Sequence, residues 1–284
     1  MCHRSDDLSP DHLKSFLATA GDVMDGAEFH GKWPYGGKPP HMPTFSVENY
    51  LDEVPLIEHK SGQTWREKIA ALRLTTKQLG RPGFMLANNE YGLGAAGASG
   101  SFTGNWTRYL KGLVAVELAL EMYTAGYDIA CFWDTGDGAT GSNPSLPPSS
   151  AGIGSGHMLL ETSAGYRMNP MHLGFELLAK AQNRTMLKLN TTAKRVHGFA
   201  SLEASSGHVQ IFLINKYEAV QKVYVALPAS GPAALADGTL TSMVDTADHW
   251  GTNTVVKLGA ASGCTAGSRV CELSLPALSF SIVQ

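Results

Sequence analysis

The hydrophobic period of this 284-residue chain changes at about residue 184. Before that point, helical stretches alternate with short apolar runs. After it, period-two runs dominate. Alternating helix and strand builds parallel βα units, whereas closely spaced strands build an antiparallel sandwich. The expectation is two domains of different class, α/β over 1–183 and all-β over 184–284.

In the first region Ser9-Pro10-Asp11 opens an amphipathic helix over 9–20, with Leu13, Phe16 and Leu17 on one face. Gly21-Asp22 stops it, and 23–30 reads as a strand. The Pro- and Gly-rich stretch Trp33 to Pro40 is a loop. Thr44 or Ser46 caps a short helix that ends by Glu53, ahead of Pro55. A longer helix over 64–79 offers Trp65, Ile69, Leu72 and Leu79 for packing. Phe84 to Ala87 is a buried strand that turns polar at Asn88, Asn89, Glu90 and Tyr91 and runs into a loop with Gly92, Gly94 and Gly97. A strongly apolar helix over 102–125 stops at Gly126. The strand over 127–133 ends in Asp134-Thr-Gly-Asp-Gly138, a long loop follows, and a last helix covers 172–182. Three strands thus end in polar loops. A closed eightfold barrel takes about 250 residues, so this region reads as a partial (β/α) TIM-like barrel.

The second region carries period-two runs at 209–215, 221–227, 254–258, 269–273 and 277–283, the marks of an antiparallel β-sandwich. A net charge of −3 gives no reason to expect a nucleic-acid or membrane partner. The N-terminus has no apolar signal core, so no secretory signal is expected. Of four cysteines, Cys131 lies in an apolar strand and is expected to be a buried thiol. Cys264 and Cys271 flank a hairpin-like stretch and are either bonded, implying an oxidising compartment, or separate. No spacing suggests a metal site.

Asp25-Gly-Ala-Glu-Phe-His30 with Trp33-Pro-Tyr35, then Leu86-Ala-Asn-Asn-Glu-Tyr-Gly92, then Ala130-Cys-Phe-Trp-Asp134, then Ile211 to Lys216 and Leu275 to Ser281 form an ordered set. This order resembles retaining glycoside hydrolases of the large (β/α)8 clan, in the arabinofuranosidase, xylosidase and agarase branches that carry a sandwich after the barrel. The first three motifs resemble the sixth, seventh and eighth barrel strands. The resemblance implies hydrolysis of a plant or algal polysaccharide or oligosaccharide, no cofactor, no metal, and an extracellular or periplasmic setting. It places the nucleophile at Glu90. The family's acid/base carboxylate lies at the end of the fourth strand, which in this order precedes residue 1.

Retaining glycosidases use two carboxyl groups roughly 5 Å apart, one attacking the anomeric carbon and one protonating the leaving oxygen. Glu90 fits the first role, with Asn88 and Asn89 to orient it and Tyr91, or a Tyr or His on a neighbouring strand, to hold it ionised. The bland alternative is a strand-end carboxylate paired with a surface base. Asp134 and Asp137 are either a replacement proton donor and a sugar ligand or aspartates satisfying a glycine turn. Glu28 and His30 project to the same side of their strand, either into the site or against a helix. Trp33, Tyr35 and Trp133 are either sugar platforms or packing residues, while Trp65 and Trp106 read as helix packing. Two rival readings remain: a non-catalytic carbohydrate-binding remnant, and an inactive fragment of a longer hydrolase. A partial barrel exposes strand edges, so a homodimer that completes the barrel is expected.

Overall fold

The computed structural model describes residues 2–5, 9–29, 45–53, 56, 63–91, 102–103, 106–132, 158–162, 165–181, 185–227, 234–235, 238–258 and 270–283. The chain begins with β1 (Cys2–Ser5), α1 (Pro10–Ala20) and β2 (Gly26–Phe29). β3 (Phe45–Ser46), α2 (Val47–Leu51) and α3 (Trp65–Gln78) follow. Next come β4 (Met85–Tyr91), β5 (Phe102–Thr103), α4 (Arg108–Ala125) and β6 (Ile129–Phe132). A hairpin of β7 (Leu159–Thr162) and β8 (Gly165–Met168) leads to α5 (Met171–Leu178).

The helix ends obey local chemistry. Ser9 Oγ accepts from His12 N–H, and Pro10 takes the first helical position. Thr64 and Glu67 form a reciprocal capping box on α3. Thr107 Oγ1 caps α4, and Gly126, at φ 103°, closes it in the left-handed region. The expected helix start at 102 is too early: Phe102–Thr103 pair in parallel with β3 instead. Leu79 does not pack as expected but is 44 % exposed, because it lies beyond the last turn of α3.

β1, β2, β4 and β6 form one parallel sheet in chain order. β1 is a strand the hydrophobic pattern did not announce, being short and polar. Arg73 of α3 ties the sheet to its helices: Nη1 donates to Phe84 O at 2.6 Å and Nη2 to Gly126 O at 2.6 Å. Asp128 Oδ2 accepts from Leu86 N–H at 2.7 Å, locking β6 beside β4.

The remaining strands are β9 (Thr185–Lys188), β10 (Val196–Leu202), β11 (His208–Asn215), β12 (Gln221–Ala226) and β13 (Ala234–Leu235). β14 (Thr239–Val244), β15 (Thr252–Lys257), β16 (Val270–Leu275) and β17 (Ser279–Val283) complete the chain. β15-β14-β17-β11-β10-β9 are antiparallel neighbours in one sheet, with β13 beside β11, and β12 pairs with β16. β11 is buried on both faces. Phe212 and Ile214 join Phe280 and Ile282 in the core shared with α4 and α5, while Val209, Ile211 and Leu213 meet Val225, Leu273 and Leu275 of the β12–β16 pair.

α4 is the hub. It is buried nearly all round, and Tyr109 at its start reaches the carbonyls of Met243, 2.9 Å away, and Leu278, 2.6 Å away. Gly112 allows α5 to approach: a Cβ there would stand 2.8 Å from Met171 N and 3.1 Å from its Cα. That contact is backbone and cannot swing aside. Gly112→Ala is therefore expected to destabilise the chain by about 1–3 kcal/mol despite the better helix propensity of alanine. Urea unfolding midpoints measure this.

Candidate functional site

β2, β4 and β6 run parallel, so their carboxyl ends open on one edge of the sheet. Glu28 lies in β2 and Asn89, Glu90 and Tyr91 close β4, while Trp133 directly follows β6. Chain topology thus brings three of the expected strand ends together. Glu28, half-buried, stands opposite Ala87 in the register. His30, Trp33, Tyr35, Trp133, Asp134 and Asp137 lie outside the described residues, as do the side chains of Asn89 and Glu90.

β4 does not end with its apolar run at Ala87; pairing continues through the polar residues to Tyr91, with an irregularity. Asn88 pairs with Ala130 and Tyr91 with Phe132, so β4 advances three residues while β6 advances two. One extra residue is inserted across Asn89–Glu90, a β-bulge. Bulges re-aim side chains and are enriched beside active sites. The burial pattern records the slip. Leu86 and Asn88 are fully buried, and simple alternation would turn Tyr91 to the opposite face, yet Tyr91 is 2 % exposed. Its ring packs edge-on against Phe132 at 5.4 Å. Burial, with Tyr123 and Cys131 nearby, pushes the Tyr91 hydroxyl well above its ordinary pKa, so it remains a hydrogen-bond donor at any working pH. Asn88 turns its amide toward Met122 Sδ of α4, at 3.4 Å.

Behind β4 and β6 lies a cavity of about 720 Å³, walled by Tyr91, Phe132, Tyr123, Tyr127 and Phe175 among others. Cys131, expected to be buried, is an exposed free thiol. The reason is that β6 pairs only with β4 among the described residues, leaving its far edge open. Cys271 is disulfide-bonded, and its partner lies outside the described residues.

A second constellation was missed at the level of motifs. Glu117, 1 % exposed, sits in the middle of α4 with Lys216, 2 % exposed, at 2.9 Å. His197 Nδ1 makes a short contact with the same Glu117 oxygen, and its Nε2 lies 2.9 Å from Glu53 Oε1. Lys216 Nζ also stands 4.2 Å from the centre of the Tyr50 ring. Burial alone would raise the Glu117 pKa, but Lys216 and His197 outweigh it and hold it at about 2. Burial likewise opposes a charged His197, yet Glu117 and then Glu53 raise its pKa above the ordinary value. The available signal was Glu117 itself, an acid flanked by Leu113, Val114, Val116, Leu118 and Leu120 in the apolar middle of a helix.

No protein-family model and no curated protein matches the chain. Solved structures match it in fold. One is an arabinofuranosidase: TM-score 0.59, 13 % identity, 99 % of this chain against 56 % of that one. A second is AbfB, a family 51 α-L-arabinofuranosidase from Bifidobacterium longum, with TM-score 0.57, 12 % identity, and coverage of 99 % and 57 %. A third is CelM2, a bifunctional glucanase-xylanase from a metagenome library, with TM-score 0.55, 16 % identity, and coverage of 96 % and 46 %. The chain spans about half the length of these structures. At such identities the likeness is one of fold: a mixed helix-and-strand chain with antiparallel sheets, similar to glycoside hydrolases.

Proposed function

We propose that this chain is a glycoside hydrolase acting on a plant or algal polysaccharide by a retaining mechanism, with Glu90 as nucleophile. The observation that carries the reading is the position of Glu90 at the carboxyl end of β4, inside the parallel sheet and within a bulge. The similarity in fold to an arabinofuranosidase and a glucanase-xylanase supports it. In this reading residues 1–183 are a partial (β/α) barrel and 184–284 a β-sandwich. Asp134 and Glu28 are the further carboxylates of the site. His30, Trp33, Tyr35, Asn89, Tyr91, Trp133 and Asp137 bind sugar, and no cofactor takes part. The disulfide at Cys271 supports an extracellular or periplasmic setting.

Both outer strands, β1 and β6, have one unpaired edge among the described residues. Exposed edges seek partners, and a second copy that closes the ring is the partner proposed; light scattering that gives a monomer at micromolar concentration would exclude it. A second reading is sugar binding without turnover, with Trp33 and Trp133 as the platforms. Release of reducing sugar from arabinan, xylan, β-glucan and agar, run beside pull-down on the same insoluble polymers, separates the two. Turnover supports the hydrolase, binding alone supports the second reading, and neither outcome on any polymer contradicts both.

A further inference from the structure

We propose that Glu53, Glu117, His197 and Lys216 form a proton-controlled latch that fastens α2 and the turn after it onto α4 and the seven-stranded sheet. This latch is independent of the hydrolase reading. Its four members come from four places: Glu53 from the turn after α2, Glu117 from α4, His197 from β10, and Lys216 from the residue after β11. His197 is the bridge, touching Glu117 through one ring nitrogen and Glu53 through the other.

The charge count explains why a histidine stands here. Two carboxylates, Glu53 and Glu117, face one fixed cation, Lys216. With His197 neutral the group carries a net −1; with His197 protonated it is balanced. The neighbouring charges cancel in pairs. Asp52 of the α2 turn contacts Arg195, the residue before β10, and Arg66 of α3 holds Glu121 of α4 with Nε–Oε2 at 2.5 Å and Nη2–Oε1 at 3.2 Å. His197, in contact with both carboxylates, can correct the imbalance by taking up one proton. Burial makes the imbalance costly.

The turn is poised to let go. Glu53 has φ 67°, in the left-handed region that a non-glycine residue adopts only when its surroundings hold it there. Glu53 N–H donates to Tyr50 O at 3.3 Å, and among the described residues its side chain is tied to His197. When His197 loses its proton, the tie loses its charge, the two carboxylates repel across a neutral ring, and the strained turn has less to keep it. A cleft of about 250 Å³, walled by Glu53, Leu56, Trp65, Glu117, His197 and Lys216, lies at this joint and opens further as the turn leaves.

The pH window follows from the two directions. The His197 pKa is raised on folding, so its contribution is complete below the unfolded value of about 6.5 and fades as pH rises through the higher folded value. The Glu117 pKa is depressed to about 2, so its contribution is complete above about 4.5 and fades as pH falls toward 2. The latch is tightest between these limits, in mildly acid solution.

The test follows imidazole NMR of the full chain from pH 5 to 9 together with amide exchange of residues 47–53, corrected for the intrinsic pH effect. His197 is expected to titrate above its ordinary value. Exchange at 47–53 is expected to rise about tenfold or more as that proton leaves. Glu53→Gln is expected to lower the His197 pKa and to flatten the exchange profile; His197→Gln is expected to lock exchange at the fast, high-pH level. If His197→Gln fails to fold, Glu53→Gln, at the half-buried rim, carries the test alone. A His197 that titrates at or below its ordinary value, or exchange at 47–53 that ignores its titration, overturns the latch. So does a Glu53→Gln chain in which the His197 pKa is unmoved.

Discussion

Glu90→Gln is expected to lower polysaccharide hydrolysis by at least about 10³-fold while leaving the unfolding midpoint nearly unchanged. The size follows from the role: loss of a nucleophile removes the reacting group itself, and such losses run to several orders of magnitude. The amide keeps the shape of the carboxylate but cannot form the glycosyl ester. The preserved stability follows from position. The strand is anchored on either side of the bulge by Asn88, buried against Met122, and by Tyr91, packed on Phe132. Binding of the polymer should survive, so the loss should fall on kcat. Equal rates in the two chains would remove Glu90 from the chemistry.

Lys216→Ala is expected to destabilise the chain by about 3–5 kcal/mol at pH 7, the cost of stranding a buried carboxylate. Glu117 is 1 % exposed, so water does not replace the ammonium. His197, drawn further toward its charged form, compensates in part. The paired change Glu117→Leu with Lys216→Met should recover most of the loss, because it removes both charges and fills the space with apolar atoms. Urea midpoints of the single and paired variants separate this account from one of lost packing, in which the paired variant would be no better than the single.

Local chemistry made much of the fold legible. Ser9-Pro10, Thr64 with Glu67, and Gly126 each mark a helix boundary that the structure keeps. The run Val209 to Ile214 reads as a strand because both its faces are buried. What stayed hidden depends on partners far away in the chain. β14 looks too polar to be a central strand, yet Ser242 Oγ meets Ser281 Oγ at 2.7 Å and satisfies both hydroxyls in the dry interior. β10 carries His197 and Gly198, and its pattern makes sense only once Glu117 and the adjacent chain are in place. The bulge at Asn89–Glu90 cannot be read from β4 alone, since it is a mismatch of register with β6. Cys131 reads as interior from its apolar strand, yet among the described residues β6 has one strand neighbour, β4, and the thiol is exposed.

In the proposed mechanism Glu90 attacks a sugar. A direct test should not depend on which carboxylate protonates the leaving group. Glycosides with a 2-fluoro group and a dinitrophenolate leaving group need no protonation and leave a long-lived ester on the nucleophile. Incubation with arabinofuranosyl, xylosyl and glucosyl members of that class, followed by peptide mass spectrometry, is the decisive measurement. One glycosyl adduct is expected on the peptide that contains Glu90, absent from Glu90→Gln. An adduct on another carboxylate, or labelling that persists in Glu90→Gln, would contradict it.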